Sequence, residues 1–171
     1  MIDQKDIDAV IENILASEGG FVNSIHDDGG ATNYGITLAT LRQEAGFRNA
    51  TIADIKHLDI EEAKRIYQEK YCAPFVKLTN ACCFKFIVNG AVQHGVNGMV
   101  KILQRALNLK VDGILGSATW TRILVNEASP TTFLADIVAQ RCEYYADIVD
   151  NNPTQLKFIK GWLNRLAKDL R

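Results

Sequence analysis

Residues 18–36 read EGGFVNSIHDDGGATNYGI, and the fold is decided at the change of period that occurs inside them. Upstream, Ile7, Val10, Ile11, Ile14 and Leu15 recur at the spacing of an amphipathic helix. Gly19 and Gly20 end that helix, because glycine just past the last turn adopts a left-handed backbone without steric cost. From Phe21 to Thr37 the helical period is absent. Asp27-Asp28-Gly29-Gly30 is a turn signal between short strand-capable pieces, which predicts a small β-hairpin.

Everything after this stretch reads as helix. Thr37 is placed to cap a short helix reaching Ala45, with Gly46 as its stop. Asp59 and Glu62 form a capping-box-like pair ahead of IEEAKRIYQEKY. Thr79 is placed to start an apolar helix running to Val92. After Gly95, Met99, Ile102, Leu103, Ala106 and Leu107 share one face of the next helix. A turn at Val111-Asp112-Gly113 leads through Gly116 to a helix capped by Ser117, and Ser129-Pro130 opens another. Asn152-Pro153 opens the last, where Phe158, Ile159, Trp162, Leu163, Leu166 and Leu170 form an apolar stripe. The expected fold is mainly α, a helical bundle with one small β-hairpin near the N-terminus, in a single domain of 171 residues.

Composition excludes several function classes. The chain is 47% hydrophobic and 23% charged, with 19 basic and 20 acidic side chains and a formal net charge of -1. That balance argues against nucleic-acid binding through bulk electrostatics. No apolar run approaches the ~18 residues that span a bilayer, and MIDQKDIDAVIENILA has neither the basic start nor the apolar stretch of a secretory signal. A chain made in the cytoplasm, without stable membrane insertion, is expected. Cys72, Cys82, Cys83 and Cys142 form no C-x-x-C pair, so buried reduced thiols are expected rather than a zinc site or disulfide framework.

Chemistry concentrates in the opening stretch. Cleaving a glycosidic bond requires a protonated carboxylic acid at the leaving oxygen and a second carboxylate that stabilises positive charge, directs water or attacks. Glu18 ends a helix, where the negative end of the dipole favours the protonated form. Gly19 and Gly20 clear the space beside it, and a turn at Gly29-Gly30 would return Asp27 towards it. Thr32 carries a hydroxyl able to orient Asp27 or a water. Spacing alone leaves two readings open: a solvated helix end joined to an ordinary turn, or a pair of carboxylates facing a substrate.

The nine positions Glu18, Gly19, Gly20, Asp27, Gly29, Gly30, Thr32, Gly35 and Ile36 follow the pattern E-G-G-x6-D-x-G-G-x-T-x2-G-I. In this the chain resembles glycoside hydrolase family 108, phage-endolysin-like N-acetylmuramidases, and it is similar to the Glu/Asp/Thr arrangement of phage-type lysozymes. The resemblance implies a lysozyme-like α+β fold, Glu18 as catalytic acid, Asp27 as second carboxylate and Thr32 as its helper. Substrate-binding positions are expected at Gly19, Gly30, Tyr34, Asn89, Gln93 and His94, with no cofactor and no metal. The segment LQRALNLKVDGILGSATW resembles the predicted peptidoglycan-binding region of that family through Leu103, Gln104, Asp112, Gly113, Gly116 and Thr119. As turn formers, Asp112, Gly113 and Gly116 favour a structural role. FIKGWLNRL resembles the family's closing G-W-x-N-R, and helical spacing favours a core position for Trp162 over a sugar-stacking one.

The chain departs from the family at two places. Asn89-Gly90-Ala91-Val92-Gln93-His94-Gly95 stands where D-x-A-V-N-x-G is usual, and Tyr71-Cys72 where Tyr-Trp is common. If these positions line the groove, the preferred peptide cross-links change; Gln93 and His94 also admit a purely structural reading. The expected parts are a muramidase portion over residues 1–95 and a peptidoglycan-binding-like helical portion over 96–171 packed against it. The expected activity is hydrolysis of the β-1,4 bond between N-acetylmuramic acid and N-acetylglucosamine by a monomer. It would serve phage or prophage lysis, or holin-assisted secretion of a protein toxin. A lytic transglycosylase and a non-catalytic wall-binding module are the alternatives.

Overall fold

The computed structural model describes residues 1–23 and 30–170. The chain divides into two compact units, one of Ile7–Ala73 and one of Met1–Asp6 with Pro74–Arg171. The boundaries between units fall at 6/7 and 73/74. Among the described residues the structure is predominantly helical, with one two-stranded antiparallel hairpin, as the change of period predicts.

Helix α1, Gln4–Glu18, opens on a reciprocal cap in which Asp3 Oδ1 accepts from the Asp6 amide at 2.9 Å and Asp6 Oδ2 accepts from the Asp3 amide at 3.2 Å. Ile7, Val10, Ile11 and Ile14 are buried along one face. Strands β1, Thr32–Asn33, and β2, Ile36–Thr37, pair with Thr32 opposite Thr37 and Asn33 opposite Ile36. Their two-residue loop is Tyr34-Gly35, which the sequence reading does not single out as a turn. The Asp-Asp-Gly-Gly signal lies between Val22 and Thr32, which exchange two backbone hydrogen bonds of 2.8 Å. Residues 24–29, Asp27 among them, lie outside the described residues.

Thr37 caps α2, Leu38–Leu41, by accepting from the Thr40 amide at 3.0 Å. This helix is shorter than expected because tighter i→i+3 turns replace it at Gln43 and Glu44, before Gly46 at φ +89. The capping box of this unit is not at Asp59. Thr51 and Asp54 form it at the start of α3, Ile52–Lys56. Asp59 caps α4, Ile60–Ile66, by accepting from the Glu61 amide at 3.0 Å, while Glu62 is held by Arg65 at 2.7 Å. The chain continues from α4 into a π-helical turn, Tyr67–Cys72, and a 3-10 turn, Ala73–Phe75.

In the other unit, α5 spans Ala81–Ala106 and breaks at Gly95, where φ is 73 and ψ is 156. Its cap is Asn80, whose Oδ1 accepts from the Cys83 amide at 3.0 Å. Thr79, the expected cap, is taken by the buried Glu127 carboxylate, which accepts from its amide at 2.9 Å and its hydroxyl at 2.8 Å. Across the break, Gly90 leaves room for Met99, whose Sδ would lie 2.5 Å from a Cβ at residue 90. Met99, Ile102, Leu103 and Leu107 are buried as expected.

Helix α6, Ser117–Asn126, is capped by Gly116 without a side-chain bond, so Ser117 is the first helical residue rather than the cap. Helix α7, Pro130–Asn151, carries its proline in the first turn as read from Ser129-Pro130. Asn152 caps a 3-10 turn, Pro153–Phe158, that leads into α8, Ile159–Asp169. The apolar stripe on this last segment is mostly exposed: Phe158 is 46% exposed, Leu163 44% and Leu170 51%, and only Leu166 is buried. Trp162 is half-buried, stacked on Tyr145 at a centroid distance of 5.4 Å. Of the four free thiols, Cys72 and Cys83 are buried and Cys82 and Cys142 exposed. Burial pushes Cys72 up to about 12 and Cys83 up to about 11, so both remain protonated and inert.

The segment between α5 and α6 is organised by one amide. Gln104, 1% exposed, donates through Nε2 to Asp112 Oδ1 at 2.7 Å and to the Ile114 carbonyl at 3.1 Å. Its Oε1 accepts from the Asp112 and Gly113 amides at 3.0 and 2.8 Å. Gly113, at φ +74, packs on the Asn97 side chain. Asp112 and Gly113 thus act in building the turn. Gln104→Ala strands several of these groups together, and we expect a loss of about 2–4 kcal/mol in urea denaturation with α5 retained by circular dichroism.

Candidate active site

The site is built on a stripe that changes character at its last member. Ile7, Ile11 and Ile14 point to the buried side of α1, and eleven residues after Ile7 the same side presents Glu18. Helical geometry therefore carries a carboxyl to where the next apolar side chain would fall, and Glu18 is half-buried as a result. Gly19 follows at φ +71 and ends the helix. Among the described residues, no atom beyond the adjacent ones lies within 4 Å of the side-chain position at Gly19, Gly20 or Gly30.

The hairpin supplies the wall opposite. Tyr34 at φ 51 and Gly35 at φ +74 are both left-handed, the geometry of a type I′ turn that matches the twist of two short strands. A Cβ at residue 35 would sit 2.8 Å from both Cγ and Oε2 of Glu18 and 2.7 Å from the Tyr67 hydroxyl. Only glycine fits there, on both backbone conformation and space. Tyr67 is 1% exposed and donates its hydroxyl proton to the Tyr34 carbonyl at 2.8 Å. Asn33, also buried, fixes the hairpin from its other side by donating to the Ile55 and Lys56 carbonyls at 3.1 and 3.2 Å.

The structure therefore brings Glu18 together with the Tyr34-Gly35 turn and with Tyr67, a residue the sequence reading does not single out. Thr32 is half-buried in β1, its backbone shared between Val22 and Thr37. Asp27 lies outside the described residues. Asn89, Gln93 and His94 belong to the other compact unit.

Residues 11–95 match the profile of Glycosyl hydrolase 108, and residues 98–167 match that of a Predicted Peptidoglycan domain. The chain belongs to glycosyl hydrolase family 108. SagA of Brucella abortus is similar to it in structure, with a TM-score of 0.83 and 26% sequence identity over 98% of this chain and 93% of that one. No curated protein is significantly similar in sequence. The order of the two domains makes this glycosyl hydrolase 108 protein a glycoside hydrolase directed at peptidoglycan. No helix among the described residues is long and apolar enough to cross a membrane.

In the peptidoglycan-directed hydrolase the positions Gln93 and His94 sit in a buried polar cluster. Arg141, 0% exposed, donates to Asp169 Oδ2 at 3.0 Å and to Gln93 Oε1 at 2.7 Å, and its guanidinium lies 5.0 Å from the Phe86 ring centre. Gln93 Oε1 also accepts from the Tyr145 hydroxyl at 3.3 Å. His94 packs between Tyr144 and Tyr145, and its Nε2 is buried without a hydrogen-bond partner. Burial, with the charges of Arg141 and Arg165, holds His94 down to about 3. Burial pushes Asp169 up, against the opposing pull of Arg141. This arrangement favours the structural reading of Gln93 and His94.

A histidine depressed in the folded state takes up its proton in the unfolded chain first, at about 6.5. We therefore expect stability to fall as pH drops from about 6.5 towards about 3. The denaturation midpoint should decline more steeply in the wild type than in His94→Gln, and imidazole NMR shifts of His94 should stay at their neutral values from about pH 8 to 5.

Proposed function

We propose that the chain is an N-acetylmuramidase that cleaves the β-1,4 bond between N-acetylmuramic acid and N-acetylglucosamine, with Glu18 as the general acid. The observation that carries this reading is the position of the Glu18 carboxyl, half-buried at the end of α1 and lodged against the side-chain-free corner at Gly35. The family match over residues 11–95 supplies the reaction class. Glu18 gives its proton to the glycosidic oxygen as the bond to C1 breaks, so the N-acetylglucosamine side leaves as a neutral hydroxyl. Water then adds its hydroxyl to C1, and its remaining proton restores the acid.

Asp27, nine residues after Glu18, is the proposed second carboxylate, stabilising positive charge at C1 or directing the water. Thr32 is its proposed helper. The proposed division of labour has the residue 1–95 portion cut and the 96–171 portion, containing the peptidoglycan-domain match, hold the glycan. The proposed biological setting is phage or prophage lysis, or holin-assisted secretion of a protein toxin. Adjacent lysis genes would support the first and an adjacent toxin operon the second.

Glu18→Gln should keep the unfolding midpoint and lose at least about a hundredfold in clearing permeabilised cells, the scale of a lost general acid. Full activity in that variant removes Glu18 from the role. Mass spectrometry of digested sacculi should find reducing muramic acid ends. Anhydromuramyl ends alone would establish a transglycosylase instead, and binding without release of fragments would establish a wall-binding module.

A further inference from the structure

We propose that Tyr67 is a positioning residue for the Glu18 carboxyl, acting through the Tyr34-Gly35 turn. The inference rests on the reading of Glu18 as the acid. The Tyr67 hydroxyl lies against the same point of Gly35 as Glu18 Oε2, 2.7 and 2.8 Å from a Cβ built there, and donates to the carbonyl of the preceding residue at 2.8 Å. It thus holds the peptide that forms the wall for the carboxyl.

Two features of the backbone make such a tie necessary. Tyr34 is not a glycine yet stands at φ 51, a conformation that relaxes unless its surroundings over-determine it. The turn joins strands of two residues each, too short to fix their own loop by ladder bonds. The neighbouring structure supplies rigidity on the Tyr67 side. Tyr67 is the first residue of the π-helical turn Tyr67–Cys72, its ring lies 5.6 Å from that of Tyr71, and it is almost wholly buried. Tyr67 itself keeps ordinary helical backbone angles, φ -62 and ψ -43, and from there its phenol reaches the hairpin.

A carboxyl that must meet a glycosidic oxygen tolerates little displacement: a misplacement of about 1 Å costs on the order of a hundredfold in rate. Loss of the tie should therefore appear in turnover and not in substrate capture. Tyr67→Phe retains the ring and removes only the hydroxyl. Assayed on soluble un-cross-linked glycan strands, well below its unfolding midpoint, it should lose about ten- to a hundredfold in kcat with KM changed less than about twofold. A hydroxyl that serves the fold alone would lower the unfolding midpoint and leave kcat of the folded enzyme unchanged.

Glu18→Gln assayed in parallel separates the two claims. If Glu18→Gln is inactive and Tyr67→Phe keeps wild-type kcat, or shows only a raised KM, the positioning role is overturned and the acid stands. If Glu18→Gln is fully active, the acid assignment falls and the positioning role with it. Should Tyr67→Phe fail to fold, Gly35→Ala disturbs the same contact from the turn: a marked kcat loss is expected, and wild-type kcat in that variant overturns the proposal.

Discussion

A Cβ at residue 35 has nowhere to go. It would fall 2.7 Å from the Tyr67 hydroxyl and 2.8 Å from the Glu18 carboxyl, so the backbone of the hairpin turn is the surface on which the end of α1 and the start of the π-helical turn meet. That contact unites three elements from distant parts of the sequence. The energies involved are small and comparable. A left-handed non-glycine residue costs about 1–2 kcal/mol, and the hydrogen bond from Tyr67 to the Tyr34 carbonyl contributes about 1 kcal/mol. Neither term dominates, so the geometry of the turn depends on the tie as well as on the strands.

The other unit solves a different problem, the burial of polar groups among apolar helices, and does so in two ways. Gln104 is neutral, and its amide is matched atom for atom by Asp112, Gly113 and Ile114. Satisfied neutral amides of this kind cost little to bury. Arg141 is fully buried and charged, and it needs Asp169 as counter-ion and Gln93 as acceptor. Such a pair adds little net stability, while removing one partner costs about 3–5 kcal/mol. The first arrangement shapes a loop, and the second ties α5, α7 and α8 together through Gln93, Arg141 and Asp169.

The helical character was legible because it is written in period: Ile7, Val10, Ile11 and Ile14 are buried as their spacing requires. Caps were legible only in kind. Thr79, Asn80, Ser117 and Gly116 are all plausible starts, and the choice between Thr79 and Asn80 was made by Glu127, 48 residues away in the chain from Thr79. The hairpin was legible as a change of period, whereas the Tyr34-Gly35 turn was not, because neither residue pair nor spacing marks it. That turn is held by tertiary contact: the Tyr67 hydroxyl and the Glu18 carboxyl close on Gly35. Leu163 and Leu170 are the converse case, where an apolar period does not end in burial. Of the candidate site, Glu18 was legible by position and motif, and the contact of Tyr67 with it was not, because nothing in IEEAKRIYQEKY distinguishes a buried phenol aimed at a turn from one in a core.

One signal in the sequence does point to the candidate site without the motif. The stripe Ile7, Ile11, Ile14 continues at Glu18, so a charged group occupies the next place on an apolar face. Placing a carboxyl there opposes stability, as does a left-handed tyrosine at 34 and a π-helical turn beginning at 67. Each could be tolerated singly as a local irregularity. Their convergence on one point of Gly35 is harder to attribute to folding, because a chain selected for stability alone would have no reason to gather its violations of local preference in contact with one another. The fold supplies helices that are regular almost everywhere else, and at this corner it spends that regularity on holding one carboxyl in a defined place.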